Sequence, residues 1–492
     1  MTRAIRIGAD DNVATLIEDA GAGERVEAGG AFVTTATAIP RGHKVALAPI
    51  AAGDPVMKYG FPIGRAIRPV AVGEHVHSDN LRTGLAGTLD YRFDRPAAPT
   101  AVAADAATFM GYRRPDGRVG TRNEIWILPT VGCVARTAGR IARRAEAMLP
   151  EHVEGVHAFA HPFGCSQLGD DLSATRAMLA SLACHPNAGG VLIVGLGCEE
   201  NQIAALMADI PEWRRGAVRA LVSQLAGDEV EEGAALVAEL AAQANIAREP
   251  VGLDQLVLGV KCGGSDGLSG LTANPLVGRM SDRVAAAGGS VVLTEIPEIF
   301  GAEQVLMDRA ADAQVFAGIV DVVNGFKQYF IDHGEPVSEN PSPGNVAGGI
   351  TTLEEKSLGA VQKGGRATVT DVRRYGDRVA AKGLTLLEAP GNDAVSCTAL
   401  AAAGATIILF TTGRGTPLGF PVPTVKIASN SDLARRKPDW IDFDAGRVLD
   451  DGFDASADAL TARICAFASG EPTAAERNDE REIALWKRGV TL

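Results

Sequence analysis

Short apolar runs alternate with alanine-rich stretches from about residue 107 to the carboxyl end of the chain. Strands that succeed one another through helices lie parallel, with helices covering the sheet faces, so few architectures stay open. Strands are expected at 125–129, 155–160 and 191–194, and a second set at 256–260, 290–293, 367–372 and 406–410. Helices are expected at 137–148, 172–182 and 231–245, the last with Ala/Leu/Val spacing that suits a core-facing side. The segment 243–252 is expected to join two Rossmann-like halves, residues 107–248 and 249–492.

The first 92 residues have a different texture. Strand candidates at 3–7, 31–35, 44–47, 61–66 and 73–77 are separated by glycine and proline turns. Residues 12–17 read as a short helix or a loop. A Pro/Ala-rich linker at 93–106 then separates this small unit from the α/β body. A chain of 492 residues with 46% hydrophobic content is long enough for two or three cores. Its net charge of −13 argues against nucleic acid and anionic membrane as partners. No apolar run approaches the ~20 residues of a membrane helix, and residues 1–8 carry no signal-peptide pattern. A cytoplasmic protein is expected, with seven cysteines that are reduced and either buried, metal-bound or reactive.

Chemistry-bearing residues collect where strands end, which is where open α/β sheets bind ligands. Residues 260–270 place Lys261, Cys262, Ser265 and Asp266 among glycines, just beyond the strand at 256–260. A tight strand-to-helix turn with a buried thiol would read the same way. The pattern recurs, however, at His161 with Cys165 and at Cys198 with Glu199. Three thiols on separate strand-end loops suit an iron–sulfur cluster or a share in a single metal ion. Glu295 follows the strand at 290–293 as a candidate ligand or base, whereas Glu298 and Glu303 fit helix N-terminal acids better. The polar loop 340–352, with Asn345, could cradle a polyol or carboxylate. Asp393 and the pair Arg414 and Thr416 lie at further strand ends, and Lys426 is a candidate base or anion partner. In the small unit, His75 and His77 share one face of a strand, with His43 in a nearby turn. The chain contains neither G-x-G-x-x-G nor a Walker motif, which argues against nicotinamide and phosphoryl-transfer chemistry.

Taken in order, these motifs resemble those of the altronate and galactarate dehydratases and the related sulfolactate sulfo-lyases. The likeness covers nearly the whole chain, through Gly42-His43-Lys44, Lys58-Tyr59-Gly60, Gly164-Cys165-Ser166, Gly197-Cys198-Glu199, Cys262-Gly263-Gly264-Ser265-Asp266, Asn340-Pro341-Ser342-Pro343-Gly344-Asn345 and Thr412-Gly413-Arg414-Gly415-Thr416. It implies a SAF-type β-clip domain over residues 1–92 and a dehydratase body that depends on a divalent metal, iron or manganese. The implied reaction is dehydration of D-altronate to 2-dehydro-3-deoxy-D-gluconate. Lyase chemistry on another sugar acid, of the galactarate or sulfolactate type, and a non-catalytic sugar-acid-binding role are the alternatives. The expected metal ligands are His43, His75 and His77 with Cys165, Cys198 and Cys262, as a single ion or a cluster. Ser265, Asp266, Asn345, Asp393, Arg414 and Thr416 are the expected substrate contacts. His43, His161, Glu295 and Lys426 remain the candidates for acid–base work. The expected partner is a small sugar acid, and the expected assembly a homo-oligomer. Against the family pattern, Asp79 stands where a third histidine of the strand motif is expected, and Val346 where a lysine is expected.

Overall fold

The computed structural model describes residues 2–93, 105–489 and 491, so the expected linker falls almost entirely outside the described residues. The chain has a small N-terminal β domain and a larger α/β body with parallel sheets. Nine strands build the small domain: β1 (Thr2–Ile5), β2 (Val13–Leu16), β3 (Arg25–Ala28), β4 (Ala31–Thr34), β5 (Lys44–Ala46), β6 (Pro55–Lys58), β7 (Phe61–Ala66), β8 (His75–Val76) and β9 (Leu81–Arg82). They form one sheet in the order β4-β3-β1-β2-β5-β8 and a second in the order β6-β7-β9. The expected helix or loop at 12–17 is instead strand β2, lying antiparallel between β1 and β5. All four of its residues are buried, so the alternation that marks a half-exposed strand is missing from its sequence.

In the body, β10 (Thr108–Arg113) and β11 (Val119–Gly120) precede the first parallel sheet. That sheet comprises β12 (Glu124–Pro129), β13 (Gly155–Ala158), β14 (Ala188–Gly195) and β15 (Val218–Val222), ordered β13-β12-β14-β15. The helix Glu229–Gln243 turns Val237 and Leu240 towards it, and is capped by the Asp228 side chain, which accepts from the amides of Val230 and Glu231. Strand β16 (Glu249–Gly252) returns to pair with β10. The second sheet holds β17 (Val257–Cys262), β18 (Ser290–Leu293), β19 (Val369–Arg373), β20 (Gly383–Leu387), β21 (Ile407–Thr412), β22 (Thr424–Ala428) and β23 (Phe443–Asp444). Its order is β19-β20-β18-β17-β21-β22-β23, every neighbouring pair parallel. Among the described residues no helix is long and apolar enough to cross a membrane.

Buried charge and close backbone approach dock the small domain on the body. Glu355, in the helix Leu353–Ala360, accepts from Lys44 at 2.9 Å and from Lys58 at 2.8 Å. Lys44 also donates to Gly349 O at 2.8 Å. Beside this ion triad, Gly42 meets Gly267 so closely that a Cβ on Gly267 would lie 1.9 Å from the Gly42 carbonyl oxygen. The Gly-His-Lys and Lys-Tyr-Gly motifs are therefore interface motifs as well as neighbours of the site.

Candidate active site

Docking aims three histidines of the small domain at the body. Residues 44–45 of β5 pair with 75–76 of β8, and His43 immediately precedes β5. The three imidazole centroids stand 5.1–5.2 Å apart, and each ring offers a nitrogen to a common group within 4.8 Å. His43 Nε2 faces Ala347 O at 3.4 Å and His77 Nε2 faces Val346 O at 3.1 Å. A carbonyl can only accept, so both Nε2 atoms carry the proton and both Nδ1 atoms keep a lone pair. His43 Nδ1 lies 3.0 Å from His75 Nε2, the spacing of two ligands at roughly a right angle on an ion with bonds of ~2.1 Å. Burial, the largest cause, pushes His75 down to about 4, so it stays neutral and able to ligate at neutral pH. Metal-bound histidines commonly donate their other N–H to a carbonyl in this way. The residues present therefore fit a divalent ion.

Asp79 does not extend this group. Its carboxylate pairs with Arg68 at 2.8 Å on the surface, with the side chain 64% exposed. Val346 contributes its backbone oxygen to His77, and it also lines the cavity described next.

The carboxyl ends of β20, β18 and β17 frame a cavity of about 1080 Å3, walled by 339–343, 345–347, Phe326, Tyr329 and Trp486. A layer of paired charge lies at its base. Lys261 bonds Glu295 and reaches Asp393 at 2.9 Å. Lys363 bonds the second Glu295 oxygen at 3.2 Å and the Cys262 sulfur at 2.8 Å. In the cavity wall, Lys356 pairs with Glu298 at 2.8 Å and donates to Asn340 at 2.9 Å and to Asn345 at 3.2 Å. Burial raises Glu298, but the ammonium groups of Lys356, Lys261 and Lys363 outweigh it and hold the carboxyl well below its usual range.

Several expected site residues lie elsewhere or are already engaged. Glu295, at φ 68°, turns its carboxylate inward, where both oxygens are held by lysines and by the Cys262 amide, so it organises the buried charge behind the cavity. Burial lifts the Cys262 thiol to about 11. Lysines crowd Cys262 and both glutamates, so this donor set suits a cation poorly even though its atoms converge. Cys165 and Cys198 are exposed on the first sheet's loops and share no ligand group with Cys262 among the described residues. His161 spends Nε2 on Pro129 O at 2.8 Å and Nδ1 on the Phe163 amide at 3.2 Å, which leaves no free ring nitrogen. Lys426 lies 4.0 Å over the Phe410 ring with its ammonium on Leu418 O, and burial pulls it down to about 8. It does not line the cavity.

Asn345 and Asp393 do line the cavity. Ser265 is buried beneath it and offers its backbone oxygen to Asn345 at 2.8 Å. Asp266 is bound by Ser269, Ser429 and Asn430, at 2.9, 2.8 and 3.0 Å, and locks its own loop. Arg414 lines a separate depression of about 360 Å3 with Arg41 and Arg436, and Thr416 accepts from the Leu418 amide. Sequence alone does not single out Glu355 and Lys356, because a Glu-Glu-Lys run on a helix reads as a solvated face, nor Lys363 in the turn that follows. Glu298, which reads in sequence as a helix N-terminal acid, lines the cavity paired with Lys356.

Family profiles match three successive stretches of the chain. An altronate/galactarate dehydratase SAF domain matches residues 2–84, and a D-galactarate dehydratase/altronate hydrolase second domain matches 111–245. A D-galactarate/altronate dehydratase C-terminal domain matches 253–491. Altronate dehydratase of Escherichia coli (strain K12) is 50% identical over 492 residues, covering 99% of both chains. Altronate dehydratase of Bacillus subtilis (strain 168) is 48% identical over 499 residues, covering 100% of both. Galactarate dehydratase (L-threo-forming) of Escherichia coli (strain K12) is 33% identical over 467 residues, covering 90% of this chain and 88% of its own. The chain, matched along nearly its whole length by successive domains of one kind, belongs to the altronate/galactarate dehydratase family.

Proposed function

We propose that this protein is a metal-dependent hydro-lyase that removes water from D-altronate and releases 2-dehydro-3-deoxy-D-gluconate. The choice of altronate follows the two relatives that share about half of all positions over full length, against a third for the galactarate relative. The observation that carries the mechanism is the Glu298–Lys356 pair, a carboxylate and an ammonium 2.8 Å apart in the cavity wall.

Dehydration removes the C2 proton beside the carboxylate and the C3 hydroxyl, and the resulting enol becomes the 2-keto acid as its C2 hydroxyl gives up a proton and C3 gains one. Glu298, kept ionised by three lysines, accepts the C2 proton. Lys356 donates to the departing C3 oxygen, so the hydroxyl leaves as water, and the proton taken up by Glu298 passes back to Lys356 across their 2.8 Å contact. Asn340 holds the pair in register, accepting from Lys356 at 2.9 Å and facing Glu298 at 3.4 Å. His43, His75 and His77 would hold a divalent ion, Fe2+ or Mn2+, which would supply Lewis-acid polarisation of a substrate oxygen.

The test is a panel of aldonates and aldarates, with Fe2+ or Mn2+ under reducing conditions, read as 2-keto-3-deoxy acid. Product from D-altronate that is lost in Glu298→Gln and Lys356→Met supports the reading. Absence of product from every member of the panel overturns it.

A further inference from the structure

Three exposed thiols stand on adjacent loops at one edge of the first parallel sheet, a grouping the catalytic reading does not use. Cys133 follows β12, Cys165 follows β13 and Cys198 follows β14, and these strands are neighbours in the order β13-β12-β14. Hydrogen bonds tie the three loops together. The Gly132 amide donates to Phe163 O at 2.8 Å, the Asn201 amide to Gly164 O at 3.2 Å, and the Asn201 side chain to Thr130 O at 3.1 Å. Each thiol is therefore one to three residues from a bond that joins its loop to the next.

The local backbone is built to present the thiols outward. Gly164, at φ 100°, and Ser166, at φ 56°, bracket Cys165, and Gly197, at φ 128°, precedes Cys198. A left-handed backbone is unfavourable for serine, because its Cβ crowds the following carbonyl. A Cβ on Gly164 would fall 2.0 Å from Thr130 O, so the close packing of these loops depends on glycine there. The helices Ala135–Glu146 and Gly169–Ala183 begin just after Cys133 and Cys165. Helix N-termini favour thiolate and other negative charge.

The three sulfurs do not lie within 4.8 Å of one another, so they are too spread to share one ion. Thiolates on separate irons of a cluster stand further apart than that, and cluster sites draw their cysteines from neighbouring loops. We propose that Cys133, Cys165 and Cys198 hold an iron–sulfur cluster of the cubane class, with its fourth iron free of a cysteine. This set replaces the one expected from sequence: Cys133 stands where Cys262 was placed. Of the remaining thiols, Cys184, Cys262 and Cys397 are buried and Cys465 is half-buried. The carboxyl-terminal segment links the site to the cavity. Trp486 lines the cavity, the amides of Arg488 and Gly489 donate to Asp171 at 2.7 and 2.8 Å, and Thr491 bridges to Gln167, two residues beyond Cys165.

The full chain is prepared anaerobically, reconstituted with ferrous iron and sulfide, and assayed for visible absorption, iron and acid-labile sulfide. The expected result is broad visible absorption with about four irons and four sulfides per chain. Cys133→Ala, Cys165→Ala and Cys198→Ala should each lose that absorption while keeping the melting temperature of the parent, and Cys465→Ala should retain it. A wild-type protein without the chromophore, or a chromophore that survives all three substitutions, overturns the proposal. Dehydration with Fe2+ or Mn2+ by a protein that binds no cluster would overturn this site and leave the hydro-lyase reading standing.

Discussion

Glu355→Gln should loosen the small domain from the body, because it removes the charge that two buried lysines share. Lys44 and Lys58 have side chains 0% and 2% exposed, and both end on this one carboxylate. Removing one partner of a buried ion pair costs roughly 3–5 kcal/mol, because the other charge stays behind uncompensated. Two stranded ammonium groups would suggest twice that loss. Lys44 offers a way out: burial already brings it to about 8 with Glu355 in place, so without Glu355 it sheds its proton near neutral pH. Lys58, which Glu355 and the Tyr59 side chain hold above its ordinary value against burial, has no such route. The loss therefore stays near 3–5 kcal/mol, a large part of the ~5–15 kcal/mol that a folded domain has. At about 2–4 °C per kcal/mol for units of this size, the melting temperature should fall by about 10 °C. The measurement is calorimetric melting of wild type and variant at pH 7, alongside metal affinity, since His43 is the residue before Lys44. A melting temperature within about 2 °C of wild type would refute this account of the docking. The apolar combination Lys44→Met, Lys58→Met and Glu355→Leu should recover most of the loss, because well-packed apolar residues replace buried ion pairs at little cost.

Glu298→Gln and Lys356→Met should each lower kcat by roughly 10²–10⁴-fold with the fold intact, as loss of a general base or acid does; steady-state kinetics with circular dichroism checks this. Asp79→Ala should change stability by less than about 0.5 kcal/mol, and leave metal affinity unchanged, because its partner Arg68 is a surface one; melting and metal titration decide it. Burial raises the Glu355 carboxyl, but Lys44 and Lys58 more than offset it, so its folded value lies below the ordinary 4.5. A lowered carboxyl adds stability that is complete above 4.5 and is lost as pH falls through the folded value, so urea midpoints should drop below that pH and drop less in Glu355→Gln.

Apolar periodicity made the parallel body legible, because strands such as β14 and β21 are covered on both faces and read as unbroken apolar runs. The His-x-His spacing brings the His75 and His77 rings to 5.1 Å, although β8 ends at Val76 and His77 lies just beyond it. Strand β2 failed because its burial is complete, which removes the alternation that distinguishes a strand from a helix turn. The lysines of the site failed for a different reason. All eight residues of the helix Leu353–Ala360 are buried, including Glu354, Glu355 and Lys356, and a charged run is buried only where distant parts of the chain supply partners. Glu298 likewise needed its Lys356 partner, 58 positions away, before its place in the cavity could be recognised. Cys133 drew no notice because its glycine-valine setting looks like any helix start. Its meaning comes from β12 lying between β13 and β14, which the chain order does not give.

The central claim is tested most directly by incubating the metal-loaded protein with D-altronate and, in parallel, galactarate, and following 2-keto-3-deoxy acid with time. The account predicts steady product from D-altronate at a higher kcat/KM than from galactarate. No product from D-altronate, or faster turnover of galactarate, would contradict it.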